Sequence, residues 1–218
     1  NSVGASAYST VAVATPQAPI TIGPPAQILT ILPGQSYTAG SATLAAAVSG
    51  TPSPQLAGAQ FTVEFRVVDS NFNTVASSNP TGLQAMLTDS AGNDPNFIAQ
   101  AVTFSNGVAS LALTAYTATA MDSAGGITAY SRPWSVTLSG ASLQSLPQAG
   151  ASASFLLSAN PGASGTNRAV AVLPGQVFRN RKTLAASLTG TPSPLVIGGG
   201  TSYTAKIFAT DPWYNVLN

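Results

Sequence analysis

The chain has 218 residues, 44% of them hydrophobic, which is enough to bury the core of one large or two small domains and excludes a disordered tail. Only 6% are charged, the net charge is +1, and neither cysteine nor histidine occurs. These absences exclude a disulfide framework and thiolate chemistry, and remove the commonest general base and transition-metal ligand. The densest basic cluster is Arg179, Arg181 and Lys182, too small to track a phosphate backbone, so no nucleic-acid partner is expected. No apolar run approaches the ~18 residues of a membrane span. No signal peptide is visible, so any export segment is expected to lie outside the chain or to have been removed. Against a globular average of about 25% charged residues, this surface must be covered by Ser, Thr, Asn, Gln and Gly, and a weakly charged surface favours packing against copies of itself.

Taken in chain order, residues 1–26 come first, and 15–22 resemble 146–157 (Thr15-Pro16-Gln17-Ala18 against Leu146-Pro147-Gln148-Ala149). Leu32-Pro33-Gly34-Gln35 is a turn signal. The Ala-rich stretch 44–47 has helical propensity, but its Thr, Val, Ser and Gly flanks predict a strand or loop. Phe61, Val63, Phe65 and Val67 alternate with Thr62, Glu64 and Arg66, the period-two pattern of a half-buried strand. Asp69 to Asn73 and Asp89 to Asp94 are turn-like, and Asp122-Ser123-Ala124-Gly125-Gly126 is read as a plain turn. Strands are predicted over 108–116 and, from the alternation of Trp134, Val136 and Leu138, over 134–138. Short strands with frequent turns indicate an all-β antiparallel sandwich.

The later residues repeat the earlier ones. Leu173-Pro174-Gly175-Gln176 repeats the first turn at an offset of 141 (173 − 32), and Gly190-Thr191-Pro192-Ser193-Pro194 repeats Gly50-Thr51-Pro52-Ser53-Pro54. Thr183-Leu184-Ala185-Ala186 matches Thr43-Leu44-Ala45-Ala46, and Tyr203 through Asp211 aligns with Phe61 through Asp69. Several blocks in one order signify duplication. The expected division is residues 1–26 as the end of a preceding module or a donor-strand-like segment, 27–168 as a complete module, and 169–218 as the opening strands of a second, incomplete one. Such an opening fragment cannot bury its apolar face alone. Either the chain belongs to a longer polypeptide, the preferred expectation, or a neighbour supplies strands by β-addition.

The order LPGQ, GTPSPQLAG, FTVEFRVVDSNFN, TDSAGNDPN and FSNGVASLALTAYTATAMDSAGG resembles bacterial immunoglobulin-like repeats of large secreted and cell-surface proteins, including adhesin- and haemagglutinin-related ones. The resemblance covers 27–168 and the start of the second copy, although 128–152, with Arg132-Pro133-Trp134, is longer than a minimal module of that kind. It implies immunoglobulin-like β-sandwich modules in tandem on an exported chain, located outside the cell or on its surface. Its partners would be copies of itself or neighbouring modules of the same chain, or a glycan or surface protein.

Few residues qualify for chemistry. Asp89, Asn93 and Asp94 form the better Ca²⁺ candidate, with two carboxylates and an amide around Gly92, but they lack the spacing of an EF-hand loop. Asp69 and Asn73, with the equivalent Asp211 and Asn215, are read first as turns whose side chains cap backbone N–H groups, and only second as oxygen ligands. Glu64 is the only glutamate and is expected to pair with Arg66 or a cross-strand partner, so a carboxylate pair for hydrolysis is not expected. Lys182 and Lys206 raise the idea of a Lys–Asn cross-link, but Glu64 stands where the first copy would need the second lysine, and an exposed lysine is expected. Phe72, Trp134, Trp213 and Tyr214, with Tyr130, are candidates for an inter-module or ligand contact. The main expectation is a non-catalytic structural repeat unit of an extracellular or cell-surface fibre, assembling by module stacking or strand sharing. The alternative is an adhesin-type module reading a glycan or protein through loops at one sandwich end.

Overall fold

The computed structural model describes residues 21–89, 92–94, 97–119, 133–149, 152–163, 165–180, 183–193, 200 and 202–217. In chain order its longer strands are β1 (Gln27–Ile31), β2 (Gln60–Val68), β3 (Leu83–Asp89), β4 (Gln100–Val102), β5 (Val108–Thr114), β6 (Ser135–Ser139), β7 (Arg168–Val172) and β8 (Lys206–Thr210). β2 lies between β1 and β5 in one antiparallel sheet, with Gln27 opposite Val68 and Phe61 opposite Leu113. β3 lies between β6 and β4 in a second, and its end also pairs with Gly92–Asn93.

The alternation in β2 sets which side is buried. Phe61, Val63, Phe65 and Val67 turn inward and meet Leu83, Ala85 and Leu87 of β3 and Val136 of β6 in one hydrophobic cluster. Phe155 closes it against Phe61 with ring centroids 5.4 Å apart, edge to face. Gln148 ties the two sheets at one margin: its Nε2 donates to Thr30 Oγ1 at 2.8 Å and its Oε1 accepts from the Leu138 N–H at 2.8 Å. The all-β, antiparallel expectation holds.

The segment expected as strand or loop over 44–47 is instead one helical turn, α1 (Leu44–Ala47), started by Thr43, whose Oγ1 accepts from the Ala46 N–H. A good N-cap and alanine propensity suffice for a single turn. The β-branched flank counted against a helix forms its own short strand, Val48–Ser49, paired with Ser36–Tyr37.

The repeated blocks fold alike. β7 pairs with β8 as β1 pairs with β2. α2 (Leu184–Ser187) starts at Thr183 as α1 starts at Thr43, and Val177–Phe178 pairs with Leu188–Thr189. The two most similar motifs touch each other in both copies: the Ser53 N–H donates to Pro33 O and the Ser193 N–H to Pro174 O, each at 2.7 Å. Gly34 and Gly50 both have positive φ (88° and 93°), and a Cβ on Gly34 would lie 2.7 Å from Thr51 O, so the motif demands glycine sterically as well as conformationally. The copies differ in cover. Phe65 is 0% exposed beneath the second sheet, whereas Ile207, its counterpart in β8, is 74% exposed.

That contrast yields an expectation for stability. Phe65→Ala lowers the unfolding free energy by about 3–5 kcal/mol, and Ile207→Ala changes it by less than about 0.5 kcal/mol, both read from urea unfolding of the full chain.

Candidate functional site at the 69–73 and 211–215 turns

β2 is followed at once by Asp69, whose side chain is fully buried. A carboxylate in that position needs donors, and the next residues supply them. Asp69 Oδ1 accepts from the Asn71 and Asn73 N–H groups at 2.9 and 2.8 Å. Oδ2 accepts from the Gly23 N–H at 2.8 Å and from Asn73 Nδ2 at 3.1 Å. Phe72 takes a left-handed conformation (φ 58°) that closes the turn, and its N–H donates to Asp69 O. Burial alone raises the Asp69 carboxyl, but the Gly23 and Asn73 N–H groups, the Asn73 amide and the Asn71 N–H outweigh it and hold the group below its ordinary 3.8.

The same turn follows β8. Asp211 Oδ1 accepts from the Trp213 and Asn215 N–H groups, each at 2.9 Å, and Oδ2 from the Asn160 N–H at 3.1 Å and Asn215 Nδ2 at 2.8 Å. Tyr214 takes the position of Phe72, with φ 62°. In both turns the carboxylate lone pairs are spent on N–H donors, the capping arrangement rather than a set of cation ligands.

The second turn does more than close on itself. Asn215 faces the chain that follows β5: its Oδ1 accepts from the Ala118 N–H and its Nδ2 donates to Tyr116 O, each at 2.8 Å. Trp213 packs on the Tyr116 ring with centroids 5.6 Å apart. Its indole lies over Gly58, where a Cβ would come within 1.9 Å of the ring, and Gly58 also has positive φ (70°). Asn160 adds a bond from its Nδ2 to Ala57 O at 3.0 Å. The 211–215 turn thus clasps the end of the first copy by two backbone hydrogen bonds and one aromatic seat.

The other expected residues are placed as follows. Trp134 belongs to the main core, 4% exposed, with Nε1 donating to Thr117 O at 2.9 Å, so it offers no ligand platform. Phe72 is 7% exposed and packs with Leu29, Ala47 and Val68. Tyr214 carries the Arg168 guanidinium 4.6 Å from its ring centroid. Asp94 is buried, 2% exposed, and accepts from Thr117 Oγ1 at 3.3 Å, while Asp89 ends β3 opposite Gly92. Residues 90 and 91 and the Asn93 side chain lie outside the described residues, as do Asp122, Tyr130, Arg132 and Lys182. Among the described residues no three His, Cys, Asp or Glu side chains gather as a metal site. Glu64 is engaged by Arg66 at 2.5 Å, in a shallow depression of about 470 Å³ beside Tyr37 and Ser110. Lys206 is exposed on β8. Tyr116, Gly58, Asn160 and the outward role of Asn215 escape sequence reasoning. The only available signal was an Asn four residues after the Asp in both copies.

Compared with family models, curated proteins and solved structures, the chain has no match in any of the three.

Asp69→Ala strands four donor groups and lowers stability by roughly 2–4 kcal/mol, measured by urea unfolding at neutral pH. Because the folded carboxyl lies below its unfolded value, its contribution is complete above about pH 4 and is lost as pH falls through the folded value. The acid limb of the stability profile is therefore shallower in Asp69→Asn than in the parent. Gly58→Ala places a methyl where the Trp213 indole sits, so tryptophan emission shifts to the red and acrylamide quenching increases, while the buried Trp134 signal persists.

Proposed function

We propose that this chain is a non-catalytic structural repeat unit of an extracellular or cell-surface fibre, built of immunoglobulin-like β-sandwich modules in tandem. The observation that carries this reading is the clasp of the 211–215 turn on residues 116–118. Two hydrogen bonds to backbone and a half-buried aromatic seat hold one copy of the repeat against the other, which is how a stalk transmits stiffness from unit to unit. Composition agrees: with 6% charged residues, little repulsion opposes contact between units. The one glutamate is already paired with Arg66, which supports a non-catalytic reading. Calcium is not required by the reading, since the turns that close β2 and β8 are satisfied by N–H donors.

The alternative, an adhesin using aromatic platforms, draws less support. Phe72 and Trp134 are buried and Trp213 packs at a tilt against Tyr116. The open apolar face of β8 around Ile207 instead favours contact with protein.

Sedimentation velocity over a concentration series, with a glycan array in parallel, separates the two. The fibre reading expects concentration-dependent association without ligand and no sugar binding. A strictly monomeric chain that binds glycans would overturn it.

A further inference from the structure

We propose that the 69–73 turn is itself a socket for another copy of the repeat, which seats its own residues 116–118 on Asn73 as the first copy seats them on Asn215. This rests on the repeat-unit reading and names the partner and the contact.

Three observations carry it. The first is the identity of the two turns. Asp69 and Asp211 each accept from the N–H groups two and four residues on, from the following Asn side chain, and from a backbone N–H of the chain leading into their copy, Gly23 in one case and Asn160 in the other. Phe72 and Tyr214 share the left-handed conformation. A turn fixed this tightly orients its Asn side chain the same way in both copies.

The second is what that Asn does. Asn215 Oδ1 takes the Ala118 N–H and Nδ2 gives to Tyr116 O. Asn73 is 5% exposed, and its Nδ2 is held by Asp69, but its Oδ1 is buried without a hydrogen-bond partner. A buried amide oxygen with no donor costs about 1–3 kcal/mol, and a backbone N–H like that of Ala118 is the group that occupies the equivalent oxygen. Gly40 is the residue beside Asn73 Oδ1, where a Cβ would lie 3.5 Å from that oxygen.

The third is the difference between the seats. Asn71 is exposed where the second copy has Trp213, the residue that packs on Tyr116 and over Gly58. The 69–73 socket therefore carries the hydrogen bond without the aromatic seat, and its junction is the weaker of the two.

The test replaces residues 1–26 of the chain by a further copy of residues 27–167, which then stand directly ahead of residues 27–218 in the same polypeptide. Segmental labelling then isolates the upstream Ala118 amide. Its hydrogen exchange is expected to be about tenfold slower than in the same polypeptide with Asn73→Ala in the downstream copy. Equal exchange rates in the two folded chains overturn the proposal. Should Asn73→Ala prevent folding, Asn71→Trp decides alone, because that position is exposed. The added indole is expected to emit to the blue in the extended polypeptide and as a solvated indole in the original chain. Solvated emission in both overturns the proposal. The readout is intramolecular, so a chain that forms this junction yet fails to associate in sedimentation sinks the fibre reading and leaves the socket standing.

Discussion

A carboxylate withdrawn from water has to be surrounded by donors, and at Asp69 and Asp211 this requirement organises the end of the long strand. Few cationic side chains exist in the chain, and the donors are three backbone N–H groups and one Asn amide in each turn. Collecting N–H groups from residues two and four positions on forces a tight turn, and the turn forces Phe72 and Tyr214 into positive φ. The fourth donor comes from the chain leading into the copy, so one carboxylate fixes both where the strand ends and where the copy begins. The Asn that completes the set keeps an amide oxygen that the turn itself does not satisfy. In the second copy it meets the backbone of the first.

Rigidity at that contact follows from what is contacted. The hydrogen bonds to Tyr116 O and from the Ala118 N–H meet the main chain of the first copy, and the Asn215 amide that makes them is itself held by Asp211. Trp213 rests on a glycine that no other residue could replace without collision. Below the contact, the first copy is held by a two-sheet core centred on Phe65, Val63 and Leu87. A firm body and a backbone-anchored clasp are the properties that the proposed structural role requires, and they need neither disulfide nor many ion pairs.

Much of the fold was legible because it is local. The alternation of Phe61, Val63, Phe65 and Val67 reads directly as one buried face, and it is buried. The duplicated LPGQ and GTPSP blocks read as a repeat, although nothing in the linear order says that Pro33 and Ser53 bond each other. The helical turn at 44–47 was misread because its β-branched flank was weighed as part of the same element, when Val48 begins a separate strand. Trp134 reads both as part of the alternating strand at 134–138 and as an inter-module or ligand contact, and its N–H finds Thr117 O inside the core. The clasp was invisible for a plainer reason: Asn215 lies 97 residues from Ala118 and 99 from Tyr116, and no periodicity connects them. The Asp–Asn spacing marked the turns, and only the fold shows what the second Asn reaches.

The account turns on the hydrogen bond from the Ala118 N–H to Asn215 Oδ1. Nitrogen–carbon scalar coupling across that bond, between the Ala118 amide nitrogen and the Asn215 side-chain carbonyl carbon, observes it directly in solution. The account predicts a resolved coupling there, alongside those of the intra-sheet pairs between β1 and β2. Absence of the Ala118–Asn215 coupling in a spectrum where the sheet couplings are present would contradict it.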